Sequence, residues 1–478
     1  MSPLIICAHA QVLRKRTKYS NTTASNPMVI KSNFGNQWTL SKQSLVSILT
    51  EKHYTPKDFA KALGAPSFTA LLKQIQPIAV PFFKAFMWTK VHRHMLFKRG
   101  LEIQSDTFSY RSQTVDGREV ILSGRVTFLN SKAEGTPHQV KTLSLHIHQA
   151  FFHPEWAPSQ NLMFMPLKVL WDSAVIEPDL QKWGITYGVE PDGGGSAVHM
   201  ARQLADCTVA ALEIMKQHGV TLDPDGYTTN WGSSQGALPT LYFAKWYDTQ
   251  APQWFKDTLR LRSTFSAEGD VPLNELTRYT YQHQELVYEG HVLLTAYFKA
   301  FTDEQKGGYR AEEFVPRWFS DPQYEVDGRK ITFLDALSHY YPQITESVIK
   351  AMKSFAEMVA PDMMNEDGTV NLNCPKIRAW LACLKKYNNV EDWTPAHEVY
   401  IAHSPADDMM PFEMVYDLYR TLGDEGKNPL VHMYSVPAMR LLPHGGLNPH
   451  FIVAFVGQLL TACVENPEDM KRFYKIVK

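Results

Sequence analysis

Residues 228–243 read "TTNWGSSQGALPTLYF", and the fold turns on the role of Ser234 within them. Gly232, Ser233, Ser234, Gln235 and Gly236 spell G-x-S-x-G. In a nucleophile elbow such a serine sits between a strand and a helix, at backbone angles most residues avoid. Its neighbours must be small for the turn to close. The five residues alone are a weak signal, because Gly and Ser crowd many loops. They gain weight when a strand precedes them, a helix follows, and an acid and a histidine come later in that order. Locally the context is present. "GYTTNW" before the motif is β-favouring, and "GALPTLYFAKWYD" suits a helix with Pro239 in its first turn. Upstream, "AVHMARQLADCTVAALEIMKQHG" (197–219) carries apolar residues at helical spacing and ends in Gly219.

Outward from the motif, short apolar runs alternate with helical segments. The runs are "TLSLHIHQ" (142–149), "SAVIEPD" (173–179), "TLRLRSTFS" (258–266) and "HEVYIAHS" (397–404). Strands alternating with helices predict an α/β fold, a mostly parallel central sheet with helices on both faces. Ahead of them, "SDTFSYRSQTVDGREVILSGRVTFL" alternates polar and apolar residues around Asp116-Gly117, which predicts a hairpin. Residues 1–38, with "SNTTASNP", read as a flexible leader or the remnant of a signal. Helical spacing dominates from about 40 to 99, so 39–270 holds N-terminal helices and the first part of the core. The span 271–395 is too long for a structureless loop in a compact domain. Its content, "LNELTRYTYQHQELVYEGHVLLTAYFKAFT" and "ALSHYYPQITESVIKAMKSFAEMVA", predicts a helical insertion rich in Tyr, Phe and Met that roofs the site. Residues 396–478 return to the core.

A serine hydroxyl is a poor nucleophile until a histidine takes its proton, and that histidine needs an acid to fix its tautomer. After "EVYIAHS" comes "PADDMMPFEMVYDLYRTL", a loop with paired acids leading into an amphipathic helix. An acid past the carboxyl end of a sheet strand suits this role, so Asp407 and Asp408 are both candidates. Near the end, "LLPHGGLNPHFIVAFVGQLL" sets His444 on a glycine-rich loop before an apolar helix, while His450 falls at the helix start and suits capping. Singly, these are ordinary turns. Elbow, acid and histidine in the required order make a Ser-Asp-His triad.

From about residue 106 to the end, the chain resembles the secretory-lipase family and its bacterial esterase relatives, which have the α/β-hydrolase fold. "AVIEPDLQKWGIT" is similar to the family's strand and loop a-v-x-x-P-D-y-x-G-x-G. "NNVEDWTPAHEVYIAHSPADDMMP" is similar to its n-x-x-x-W-x-P, strand, h-s-x-x-D-x-x-V-P stretch, and "PHGG" to its catalytic histidine. The resemblance implies that the acid lies four residues before Pro411, which selects Asp407, and that His444 is the base. "HIHQAFFHPEWAPS" resembles the oxyanion stretch, with His148, Gln149 and Ala150 for the usual trio and Ala157, Pro158 and Ser159 for the later one. That implies oxyanion donors at Gln149 and Ala150, beside Gln235 next to the nucleophile, and a cap over the site.

Composition narrows the alternatives. With 48 Lys plus Arg against 49 Asp plus Glu, the net charge of -1 gives no electrostatic reason for a nucleic-acid partner. There is no apolar run long enough to cross a membrane. Five cysteines, Cys7, Cys207, Cys374, Cys383 and Cys463, form no C-x-x-C; Cys374 and Cys383 can pair, and a reduced chain fits equally. Among 18 histidines, His146 and His148 stand two apart on a strand without an H-E-x-x-H or matching acids, so no metal is expected. Ala8-His9-Ala10 before Gln11 looks like a signal-peptidase site. This favours a secreted or periplasmic protein over a cytoplasmic one. Together these predict a serine carboxyl-ester hydrolase without cofactor, acting on a small ester or lipid-like substrate. A serine peptidase of the same fold and a silent hydrolase fold used for binding are the rivals.

Overall fold

The computed structural model describes residues 29–33, 100–131, 137–150, 154–160, 169, 173–283, 294–340, 357–403, 407 and 409–434. Eleven strands are present among them: β1 (Val29–Asn33), β2 (Leu101–Gln113), β3 (Glu119–Ser131), β4 (His138–Ile147), β5 (Ser173–Pro178), β6 (Val220–Ser233), β7 (Leu261–Ala267), β8 (Pro322–Val326), β9 (Arg329–Thr332), β10 (Glu398–Ala402) and β11 (Val431–Tyr434). The longer helices are α1 (Ala197–Gln217), α2 (Ala237–Thr249), α3 (Gln253–Leu259), α4 (Leu273–Gln282), α5 (Pro375–Asn388) and α6 (Phe412–Leu422).

β2 and β3 form the expected hairpin. Thr114 N–H donates to the Arg118 carbonyl at 3.0 Å and Gly117 N–H to the Thr114 carbonyl at 2.9 Å. Gly117 takes the positive φ (+87°) that this turn demands. From the hairpin the sheet runs β1-β2-β3-β5-β4-β6-β7-β10-β11. Pairing is antiparallel from β1 to β5 and parallel from β5 through β11. Burial explains the sequence pattern. Leu143, Leu145 and Ile147 of β4 and Ala174, Val175 and Ile176 of β5 are all sealed, as parallel strands covered by helices must be. α1 begins where the Ser196 side chain accepts the His199 N–H, and Gly219 at positive φ follows its end. Its face of Met200, Leu204, Ala211 and Ile214 packs into one core with β2–β7 and α2.

Three elements depart from the sequence expectation. Val29–Asn33, within the stretch read as leader, is the edge strand β1, antiparallel to Thr107–Tyr110 of β2. Its five residues are too few for an alternating pattern to stand out. The insertion between β7 and β10 is less uniformly helical than expected, because β8 and β9 form a hairpin at Asp327-Gly328. Asp-Gly between β-favouring residues is a hairpin signal in its own right. β11 was hidden by its brevity. Cys374 and Cys383, one of the two open readings of which was a pair, are free buried thiols.

The insertion has a core of its own, in which Phe298, Phe301 and Phe314 surround Trp380 of α5. Trp380 is fully buried. Replacing it with alanine should therefore cost about 3–5 kcal/mol, the usual penalty for emptying an aromatic site. Urea unfolding followed by fluorescence would measure it, and a loss of less than about 1 kcal/mol would show that this cluster is not a packed core.

Candidate active site

Strand register sets the stage. Ile147 of β4 pairs with Gly232 of β6, Gly232 with Ser266 of β7, and Ala267 of β7 with Ala402 of β10. Four neighbouring parallel strands thus reach their carboxyl ends in line. The chain leaves this one edge into 148–150, 234–236 and 268–270, and His403 follows the end of β10. Adjacent strands lie about 4.8 Å apart, so the loops after β6 and β10 start roughly 10 Å from each other. That gap suits an imidazole flanked by two hydrogen bonds.

The serine motif forms a tight strand-to-helix turn. Ser233 ends β6 in an extended conformation, Ser234 takes φ +51°, and a 3-10 turn (Ser234–Gly236) leads into α2. Positive φ on a serine is strained, and such strain gathers at functional sites. The turn closes only with glycines. A Cβ on Gly232 would overlap the Gly236 carbonyl and the Thr240 hydroxyl, and one on Gly236 would overlap the Ile147 carbonyl. This close approach also brings the backbone after β4 against the turn, which is the geometry an oxyanion pocket needs. Ser233 is buried while Ser234 is part-exposed, so of the two serines Ser234 is the accessible one.

Asp407 follows β10 with a fully buried side chain. Its Oδ1 accepts the N–H groups of Met409 and Met410 at 2.9 and 2.8 Å. Its Oδ2 lies 3.9 Å from His403 Nε2, which is 2.8 Å from the Met410 carbonyl. The carboxylate is thereby held rigidly by backbone that leads into α6. Asp407 and Ser234 thus come to one edge, while Asp408 and His444 lie outside the described residues.

The oxyanion candidates Gln149 and Ala150 follow β4 at that edge. Gln149 is buried and Ala150 part-exposed. Between them and the strand, His148 has Nδ1 2.7 Å from the Gln149 carbonyl and Nε2 2.9 Å from the Asp179 carbonyl. Burial pulls its pKa down to about 4 against both contacts, and with each ring nitrogen turned to a backbone carbonyl the ring braces backbone rather than facing the serine as a base. His146 is likewise committed, 2.7 Å from Glu177 and stacked on Trp231 with ring centroids 3.8 Å apart.

The Pro178-Asp179 and Ala157-Pro158-Ser159 motifs turn out to be one construction. Asp179 accepts the Ser159 N–H at 2.7 Å and the Ser123 hydroxyl, while the buried Arg125 guanidinium donates to the Pro158 carbonyl and, at 2.9 Å, to Ser105. Burial raises the Asp179 pKa and lowers that of Arg125. These groups fix the 157–160 loop beside the end of β4, where the Asp179 carbonyl meets His148.

One acid escaped the sequence reading. Asp270 follows β7, where the rule that singled out Asp407 applies equally. It is fully buried, and burial pushes its pKa up to about 7 against a bond with Ser266. The Ser266 hydroxyl also lies 2.8 Å from the Ala237 carbonyl. One hydroxyl proton cannot serve two acceptors. The Ser266 hydroxyl donates to Asp270 or to the Ala237 carbonyl, one at a time. Asp270 and Ser266 together brace the first residue of α2.

No protein-family profile and no curated protein sequence matches the chain. Solved structures do. A protein of Legionella pneumophila, provisionally described as a hydrolase, superposes with a TM-score of 0.53 at 15% identity, covering 78% of this chain and 89% of that one. The rice cell wall degrading esterase LipA of Xanthomonas oryzae, in a ligand-bound form, gives 0.55 at 14% identity, covering 80% and 95%. At such identities the likeness concerns the fold. The strand order, the parallel sheet and the serine turn agree with it: the chain has the α/β-hydrolase fold.

Proposed function

We propose that this protein hydrolyses carboxylic esters through an acyl-enzyme, with Ser234 as nucleophile, His444 as base and Asp407 orienting His444. The observation that carries the reading is the backbone of Ser234. A serine at φ +51°, part-exposed at the head of α2 and walled by glycines, is the arrangement that presents a hydroxyl for attack. In this reaction Ser234 Oγ bonds to the acyl carbon as His444 takes its proton. The N–H of Gln235 and those of Gln149 and Ala150 receive the negative oxygen. Collapse expels the alcohol, which regains the proton from His444. Water then repeats the sequence, releasing the acid and restoring Ser234. The cycle calls for no metal or organic cofactor. An esterase among the proteins that share this fold agrees with an ester substrate.

The insertion is proposed as a cap whose Tyr, Phe and Met residues cover an apolar acyl site. Ligand pockets are mostly apolar with few polar groups, and each buried methylene contributes up to about 0.8 kcal/mol. Lengthening the acyl group of a nitrophenyl ester from two to six carbons should then raise kcat/KM by roughly one to two orders of magnitude, allowing for imperfect fit. A flat or falling profile would remove the acyl-pocket role and leave the triad standing. Aminoacyl-nitroanilides in the same assay decide against a peptidase if they are not cleaved. A protein that turns over neither class is a silent fold.

Ser234→Ala should leave a folded protein whose ester hydrolysis is lower by about 10⁴-fold or more. A fluorophosphonate should label the wild type at Ser234, and labelling at Ser233 would overturn the assignment. Asp407→Asn should cost on the order of 10⁴ in kcat because His444 would lose its tautomer, and Asp408→Asn far less. The reverse order of effects would make Asp408 the triad acid.

A further inference from the structure

Behind the serine turn runs a polar chain that the hydrolytic cycle does not use. Lys182 is fully buried and sits at φ +85°, a conformation that lysine rarely adopts. Its Nζ donates to Asp192 Oδ2 at 2.7 Å. Asp192 Oδ1 accepts the Gly194 N–H at 2.9 Å and the Gln235 Nε2–H at 3.4 Å. Gln235 Nε2 also donates to the Tyr297 hydroxyl at 3.0 Å. Gln235 is the residue next to Ser234, and Tyr297 belongs to the insertion. From that insertion, too, the Ser338 carbonyl accepts the Asp192 N–H at 2.9 Å.

The glycine run 193–195 makes these contacts possible. A Cβ on Gly194 would overlap the Gln235 amide and stand 2.8 Å from Tyr297 Cε1, and one on Gly195 would stand 2.9 Å from Tyr297 Cβ. A strained lysine and two desolvated charges are an expensive way to fill space. Apolar residues of similar volume often serve stability as well or better. What apolar residues cannot do is present a carboxylate oxygen to the side chain of Gln235.

We propose that Asp192, held by Lys182, is a positioning residue: it fixes the Gln235 side chain so that the Gln235 peptide N–H keeps its aim at the developing oxyanion. Tyr297 shares that side chain, so the geometry of the turn depends on how the insertion is seated. This rests on the ester-hydrolase reading of Ser234.

The test uses the full chain. Gln235→Met keeps the peptide N–H and the side-chain bulk and leaves Lys182 paired with Asp192, but cuts the amide from both Asp192 and Tyr297. Tyr297→Phe removes one hydroxyl and cuts one arm. Working sites are counted with a fluorophosphonate, and turnover of p-nitrophenyl butyrate is expressed per counted site. A merely structural role would lower the count or the melting temperature and leave kcat per site unchanged. Positioning lowers kcat per site by about 10- to 100-fold in Gln235→Met and roughly 3- to 10-fold in Tyr297→Phe, with KM within about threefold, because the donor matters most in the transition state. Values within about twofold of wild type in both variants overturn the positioning role. Should Gln235→Met fail to fold, Gln235→Leu, which cuts the same two contacts, decides by the same threshold. A wild type that the probe does not label at Ser234 overturns the ester reading itself, whereas labelled wild type with unchanged variants overturns the positioning role alone.

Discussion

The site depends on one steric contact, the approach of the Gly236 backbone to the carbonyls of Ile147 and His148. It welds the start of α2 to the end of β4. Because Ile147 and Gly232 are also register partners, the turn is held from below by sheet hydrogen bonds and from the side by backbone packing. Any side chain at 236 would separate the start of α2 from the end of β4. The strain of Ser234 persists because these neighbours leave it no alternative. Asp270 and Ser266 brace the same joint at the Ala237 carbonyl.

Around this joint the chain distributes similar chemical groups into different tasks by environment alone. Asp179, Asp192, Asp270 and Asp407 all lie buried near the carboxyl ends of strands or in the loops that leave them. Asp179 secures a loop, Asp192 answers a buried ammonium, and Asp270 is pushed by burial towards its neutral form. Asp407 alone is gripped on one oxygen by two consecutive backbone N–H groups at the mouth of a helix on the serine's own edge. Removing Asp192 would take from the buried Lys182 ammonium the carboxylate to which it donates, and breaking such a buried pair typically costs about 3–5 kcal/mol. Stability and site geometry are therefore tied together in that loop.

Much of this was legible in the sequence, for identifiable reasons. The Asp116-Gly117 hairpin, the parallel strands around the serine and the long α1 are specified by strong local patterns: a turn dipeptide, sealed apolar runs, a helical stripe ended by Gly219. G-x-S-x-G was legible because its glycines answer to backbone contacts that no other residue satisfies. β1 and β11 were not, since four or five residues carry too little periodicity. The β8–β9 hairpin was masked by aromatic residues that read as helical filling. His444 stands on sequence order and resemblance, because the described residues stop at Tyr434 of β11.

Lys182 illustrates a different kind of illegibility. Its φ of +85° is set by the loop after β5, where a glycine is the residue expected by both sterics and the resembled pattern. Local propensity argues against lysine there, and burial argues against its charge. Only the three-dimensional placement of Asp192, ten positions later and beside Gln235, makes the choice coherent. Residues that violate local rules are found where a structure asks for something other than stability. In this chain the violations at Ser234 and Lys182 meet at a single side chain, Gln235, and it is there that the insertion reaches the turn that carries Ser234.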